Sequence, residues 1–295
     1  MIKEVDKMKN FDVMEAISFY EIENENYISK CKKCLLYLKN KSDELYTLFN
    51  LIYKSDDMSS LWEYKKIQEI VDLNYSMVSC IILLMGYKIH QRTILKLSFD
   101  DDQIQIHKKR VRECLMNDII ENNLSDIRLS QLLWGAYFIK GKLIEVGSLQ
   151  YELYDNNIKI HIPKKTKFSK NEILLSLKES SMYIQKYYNL TNYNITCESW
   201  LLSPQIKEVL DSNSNILFFN SLFDIKQTKE CNDDIIKFLF WVVDNKEHEN
   251  DMYNYYSNLP SVTKLQILVK KRLLDGQKFY KGLGTLKKIY LNDKK

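Results

Sequence analysis

Along the first 130 residues apolar side chains recur every three or four positions, and after Gly141 they begin to alternate with polar ones. In the first stretch Tyr27, Ile28, Cys31, Cys34, Leu35 and Leu38 fall on one helical face, and Leu45, Leu48, Phe49 and Ile52 continue it. This predicts one long helix or two stacked ones. Ser60-Leu61-Trp62-Glu63 has the form of a capping box, in which serine and glutamate each satisfy a backbone donor, so a helix should start near Leu61. Residues 75–84 are apolar on most sides, as a buried central helix requires, and Gly86 is placed to end it.

The period changes to two around residues 149–162. Leu149 and Tyr151 alternate with Gln150 and Glu152, and Ile158, Ile160 and Ile162 alternate with Lys159 and His161. Asp155-Asn156-Asn157 between the two runs is turn chemistry, so the pair reads as a β-hairpin stopped by Pro163. Residues 170–188 then return to helical spacing. Their start is marked by a capping box (Ser169, Glu172) and a staple (Phe168, Ile173). A strand over 195–202, a short helix over 204–210, a strand or hairpin over 216–225, a helix over 234–243 and a helix over 263–274 opened by Thr263 and Gln266 complete the reading. Because a strand, a crossover helix and a strand follow in succession, residues 159–162 and 195–202 should pair in parallel.

Glycine and proline placement supports a division. Of seven glycines only Gly86 precedes residue 130, and the prolines, at 163, 204 and 260, all come later. The expected fold class is therefore α+β. A helical N-terminal domain (1–130) should precede a C-terminal domain (131–295) with a mixed, mostly antiparallel sheet, one parallel strand pair and flanking helices.

Composition narrows the function classes. With 45% hydrophobic and 28% charged residues the chain can bury a core, and its formal charge of +4 comes from lysines and arginines interleaved with acids. Nothing in that pattern calls for a nucleic-acid partner. The longest apolar stretch is too short to span a bilayer and residues 1–10 lack an apolar signal core, which predicts a cytoplasmic protein. Six scattered cysteines are expected to act as small buried hydrophobes, and the Cys31/Cys34 pair lacks the second pair a metal site would need.

Several phrases resemble a known family. Gly86-Tyr-Lys-Ile-His-Gln-Arg-Thr93, Gly141-Lys-Leu-Ile-Glu-Val-Gly-Ser-Leu-Gln-Tyr-Glu152, His161-Ile-Pro163, Ser199-Trp-Leu-Leu-Ser-Pro204, Ser214-Asn-Ile216 and Leu259-Pro-Ser-Val-Thr-Lys-Leu-Gln266 stand in the order found in two-domain bacterial acyltransferase-like proteins. Those carry a helical N-acyltransferase N-terminal domain and a GNAT-like C-terminal domain. The resemblance covers about residues 70–285 and implies a GNAT-like fold with acetyl-CoA or another acyl-CoA as co-substrate.

In GNAT enzymes the parallel pair splays, the pantetheine arm lies in the gap, and the pyrophosphate rests on backbone N–H groups where the crossover helix begins. Here Lys164, Lys165, Thr166, Lys167 and Ser169 lie on that loop and are the candidate cofactor-binding residues. The glycine-rich turn usual for the fold is absent, and the Ser169/Glu172 capping box occupies donors at the helix start. For transfer to an amine the polar strand faces offer Gln150, Glu152, His161 and Glu198. Glu152 or Glu198 is the first choice of base and His161 the rival. Glu198 departs from the family pattern, in which histidine more often precedes Ser-Trp. Two functions remain in view: a CoA-dependent N-acyltransferase acting on a small-molecule or peptide amine, and a non-catalytic GNAT-like scaffold for binding or assembly.

Overall fold

A computed structural model of the chain describes residues 11–38, 42–54, 77–154, 156–163, 166–240 and 251–287. The capping box at Ser60 and the helix start near Leu61 lie outside these residues. The chain divides into two compact units, Met1–Glu145 and Val146–Lys295.

The first unit is helical in its described residues up to position 139: α1 (Val13–Phe19), α2 (Glu25–Leu38), α3 (Ser42–Lys54), α4 (Val78–Met85), α5 (Tyr87–Leu97), α6 (Asp101–Ile120) and α7 (Leu129–Ile139). The amphipathic pattern over residues 27–52 thus forms two helices, α2 and α3. All eight residues of α4 are buried, and α1, α2, α3 and α7 pack around it. The residue that precedes it, Met77, offers no side-chain acceptor to cap its start. The Asp126 carboxylate fills the role from a loop, accepting from Ser79 N at 2.8 Å and Cys80 N at 3.3 Å. Burial raises the Asp126 pKa, and those donors offset part of the rise.

At Gly86 the expected helix end is a corner, because α5 begins at the next residue. Its φ of −67° is open to any residue. Space demands the glycine: a Cβ there would sit 2.3 Å from Tyr53 Oη, whose hydroxyl donates to Leu83 O at 3.3 Å. Facing each other from α5 and α6 are His90 and His107, fully buried, with ring centroids 5.7 Å apart. Phe19, Phe99, Phe138 and Tyr20 surround them. Further along α6, Arg110 forks onto Glu145 with two bonds of 2.7 Å and reaches Glu113 at 2.6 Å.

The sheet holds β1 (Leu143–Val146), β2 (Leu149–Tyr154), β3 (Asn157–His161), β4 (Asn194–Ser199), β5 (Phe223–Glu230) and β6 (Tyr280–Leu286), in the order β1-β2-β3-β4-β6-β5. The pairs β2/β3, β4/β6 and β5/β6 are antiparallel, whereas β3/β4 is parallel. The α+β class and the single parallel pair are those the alternation and the crossover rule predict. Between β3 and β4 runs α8 (Lys170–Tyr188). It packs against β2, where Tyr151 Oη and Ser176 Oγ lie 2.9 Å apart. A separate apolar cluster gathers α9 (Ile206–Val209), α11 (Asn232–Leu239) and α13 (Lys264–Leu274), with α10 (Asn215–Ser221) and α12 (Met252–Ser257) completing the described α-helices. No described helix is long and apolar enough to cross a membrane. All six cysteines are free buried thiols, and desolvation raises their pKa values.

Two sequence expectations need correction, and one strand lay outside the sequence reading. Residues 216–225 are not a strand or hairpin: α10 occupies 215–221 and β5 begins at Phe223. Ser214 Oγ caps α10 by accepting from Ile216 N at 3.2 Å, and Asn220 Nδ2 donates to Leu201 O at 2.6 Å. A short apolar run is compatible with either period, and these polar bonds select the helix. The strand expected over 195–202 stops at Ser199, whose hydroxyl accepts from Leu201 N at 3.1 Å and turns Trp200–Leu202 into a 3-10 helix. Trp200 is accordingly only half-buried, at the edge of the separate cluster. Strand β6 lies beyond the last element read from the sequence, and it contains Gly282 and Gly284. They are strand glycines that admit a close neighbour: a Cβ on Gly282 would meet Leu202 O at 2.2 Å.

Candidate active site

Register decides which side chains share a face. Directly opposed residues of paired strands point the same way. Gln150 stands opposite His161, Glu152 opposite Lys159, and Lys159 opposite Thr196; Thr196 stands opposite Thr285 and Glu198 opposite Leu283. One face of the sheet therefore carries Gln150, Glu152, Lys159, His161, Thr196 and Glu198. The other carries Tyr151, Ile158, Ile160, Ile195 and Cys197, all buried.

On the polar face two pairs form. His161 Nε2 lies 2.6 Å from Glu152 Oε2, with both side chains mostly buried. Glu152 faces Lys159 in register yet bonds diagonally to His161, two residues further along β3. Lys159 reaches the other way and meets Glu198 on β4 at 3.8 Å. Gln150 is buried beside His161 in register. Of the four candidate site residues on the strands, then, Glu152 and His161 are in contact and Glu198 is tied to Lys159.

The parallel pairing of β3 with β4 runs from Asn157↔Asn194 to Lys159↔Thr196. Both strands continue beyond it. β3 runs on to His161, while β4 follows β6 as far as Ser199↔Gly282. The Lys159–Glu198 pair lies at this divergence, and the Glu152–His161 pair lies beside it.

The loop that follows β3 is less open to a ligand than its sequence suggests. Thr166 Oγ1 donates to Pro163 O at 2.7 Å, which uses the hydroxyl proton that a phosphate would need. Ser169 Oγ accepts from Glu172 N at 3.3 Å as the cap of α8. Lys167 is exposed, and Lys164 and Lys165 lie outside the described residues. What the sequence reading missed is Lys159 as a partner in the site. Its alternation was visible, but its position between two carboxylates depends on register, which a single strand does not carry.

Comparison with known proteins places the chain in a family. The sequence model of the GNAT-like C-terminal domain matches residues 73–286, and the chain belongs to that family. No curated protein sequence matches it. Among solved structures, an acyltransferase in complex with decanoyl-CoA is similar at 19% identity and a TM-score of 0.59, over 70% of this chain and 64% of that one. The complex of an acyltransferase with CoA and 10C-teicoplanin is similar at 17% identity and the same TM-score and coverage. A third, an acyltransferase mutant with octanoyl-CoA, gives 16% identity and a TM-score of 0.61, over 71% of this chain and 66% of that one. The chain therefore spans less than two thirds of the length of these proteins, and at such identities the likeness is one of fold.

Proposed function

We propose that the protein transfers an acyl group from acyl-CoA to an amine, with His161 as the base and Glu152 as the group that orients it. The observation that carries this reading is the 2.6 Å contact between His161 and Glu152 beside the divergence of the parallel strands. Donation from Nε2–H to the carboxylate selects one tautomer, places the basic lone pair on Nδ1, and stabilises the imidazolium once it forms. His161 then takes the ammonium proton of the acceptor. The freed amine attacks the thioester carbonyl, a C–N bond forms, and the C–S bond breaks. The departing thiolate takes up a proton and leaves as the thiol.

Beyond Lys159 and Thr196, where the pairing of β3 with β4 ends, an extended pantetheine arm would add to a strand edge. Decanoyl-CoA and octanoyl-CoA are held by proteins of similar fold, so medium-chain donors belong in the test beside acetyl-CoA. A second reading, the non-catalytic scaffold, draws support from the backbone commitments of Thr166 and Ser169. Calorimetric titration with acetyl-, octanoyl- and decanoyl-CoA separates the two, followed by a thiol-release assay with a panel of amines. Binding and amine-dependent thiol release support the enzyme. The absence of binding heat with all three donors would leave the scaffold.

A further inference from the structure

The Lys159–Glu198 pair has no part in the mechanism above, and its geometry differs from that of its neighbour. The Glu152–His161 contact is short, with side chains 13% and 23% exposed. The Lys159–Glu198 contact is 3.8 Å long, with side chains 39% and 30% exposed. A long, half-solvated ion pair contributes little and exchanges readily. Lys159 also has a second carboxylate to turn to, because Glu152 is its in-register partner on β2. Among the described residues beside the strand divergence, Glu152 and Glu198 face one permanent cation, Lys159. With the imidazole neutral, one negative charge is left over. Further along the same face Thr196 and Thr285 add none, and on β5 Asp224 and Lys226 carry opposite charges that offset each other.

We propose that Glu198 is the anchor for the acceptor's cationic ammonium, and that Lys159, itself a primary alkylammonium on an unbranched chain, occupies that anchor until the acceptor displaces it. The acceptor is then a primary aliphatic amine that arrives protonated, in preference to an aromatic amine or another amine that is neutral at working pH. This deepens the acyltransferase reading and rests on it. Anchoring on β4 holds the ammonium across the strand divergence from His161 on β3. One N–H proton passes to His161 before attack and a second is lost as the amide forms. One of the two goes to the departing thiolate and the other to solvent, so R–NH3+ and the thioester yield amide, thiol and one free proton.

The test compares n-butylamine, which is cationic at neutral pH, with hydroxylamine, which is uncharged there, in a thiol-release assay. Replacing the anchor, Glu198→Gln, should lower the ratio of kcat/KM for butylamine over hydroxylamine by more than tenfold, chiefly through the KM of butylamine. Glu198→Asp keeps the charge and should restore most of that ratio. Removing the resident cation, Lys159→Met, should lower the KM of butylamine at least threefold, because the competitor is gone. If Glu198→Gln leaves the ratio unchanged, or Lys159→Met raises the KM of butylamine, the anchor is wrong while the acyltransferase reading stands. Should the unmodified protein bind no acyl-CoA and release no thiol with any amine, that reading falls and this inference falls with it.

Discussion

Lowering the pH from 7 to 5 should destabilise the helical unit by about 2 kcal/mol through His107 alone. Burial drives the pKa of His107 down to about 3, with the Phe138 backbone offsetting part of the effect; the ordinary value is about 6.5. Below pH 6.5 the unfolded chain takes up a proton that the folded chain refuses, so stability is fully present above pH 6.5 and is lost as the pH falls. At pH 5 the difference is RT ln(1 + 10^1.5), or about 2 kcal/mol, and each further unit down to the folded value removes about 1.4 more.

His90 works in the same direction. Burial, then His107, then Lys108 hold its pKa well below the ordinary value. The charged and titratable groups around the pair are few: the Tyr20 hydroxyl, 3.2 Å from His90 Nδ1, and Lys108, whose Nζ lies over Phe19 and pairs with Glu21. Asp126 titrates with the opposite sign, since burial raises its pKa. Its contribution cancels when His107→Phe is compared with the parent chain. The assay is urea-dependent hydrogen exchange of peptides from α5 and α6 at pH 7 and pH 5, which reads this unit by itself. The change in opening free energy between the two pH values is measured in the parent chain and in the variant. On going to pH 5 the parent should lose about 2 kcal/mol more than His107→Phe does. A fall in the variant as large as that in the parent would refute the argument.

Three further outcomes follow from contacts already described. Glu152→Gln and His161→Asn should each lower thiol release by about 10²–10⁴-fold with acyl-CoA affinity nearly unchanged, because a base contributes to the transition state and hardly to donor binding; near-parental turnover in both would move the base elsewhere. Arg110→Met should lower stability by about 2 kcal/mol, since it leaves the mostly buried Glu145 carboxylate without its two-pronged partner. Adding Glu145→Gln to that variant should recover part of the loss in thermal unfolding. Gly282→Ala should cost about 1–3 kcal/mol, because its methyl group would press on the Leu202 carbonyl, a backbone atom that cannot rotate away; an unchanged melting temperature would contradict the packing described for β6.

Most of the fold is legible in the sequence because its signals are local. The switch from helical period to alternation, the turn residues between β2 and β3, and Ser169 at the start of α8 each act within a few residues. The failures have a common cause. Residues 216–221 read as a strand because four apolar residues in a row satisfy both periods, and what makes them a helix includes the Asn220 bond to Leu201, nineteen residues away. Strand β6 went unread, and its glycines obscure it because glycine usually punctuates. In this sheet the same glycines make room for Leu202 and Phe223, which are distant in sequence. The reason Gly86 is a glycine was equally out of reach, since the side chain that excludes a Cβ is Tyr53 on another helix.

The candidate site was legible by half for a related reason. Alternation sets Gln150 with Glu152, and Lys159 with His161, on one face of each strand, but whether the two faces coincide is a matter of register. The observed pairing of Gln150 with His161 makes them coincide, and a slip by one residue would have sent Glu152 and His161 to opposite sides of the sheet. Even with register known, the direct cross-strand partner of Glu152 is Lys159, and the ion pair expected from sequence would be that one. The imidazole holds the carboxylate because Lys159 has a second acid, Glu198, brought alongside by the parallel strand. The arrangement of the polar face thus follows from three strands acting together: β2 supplies the acid, β3 the imidazole and the lysine, and β4 the second acid that draws the lysine aside.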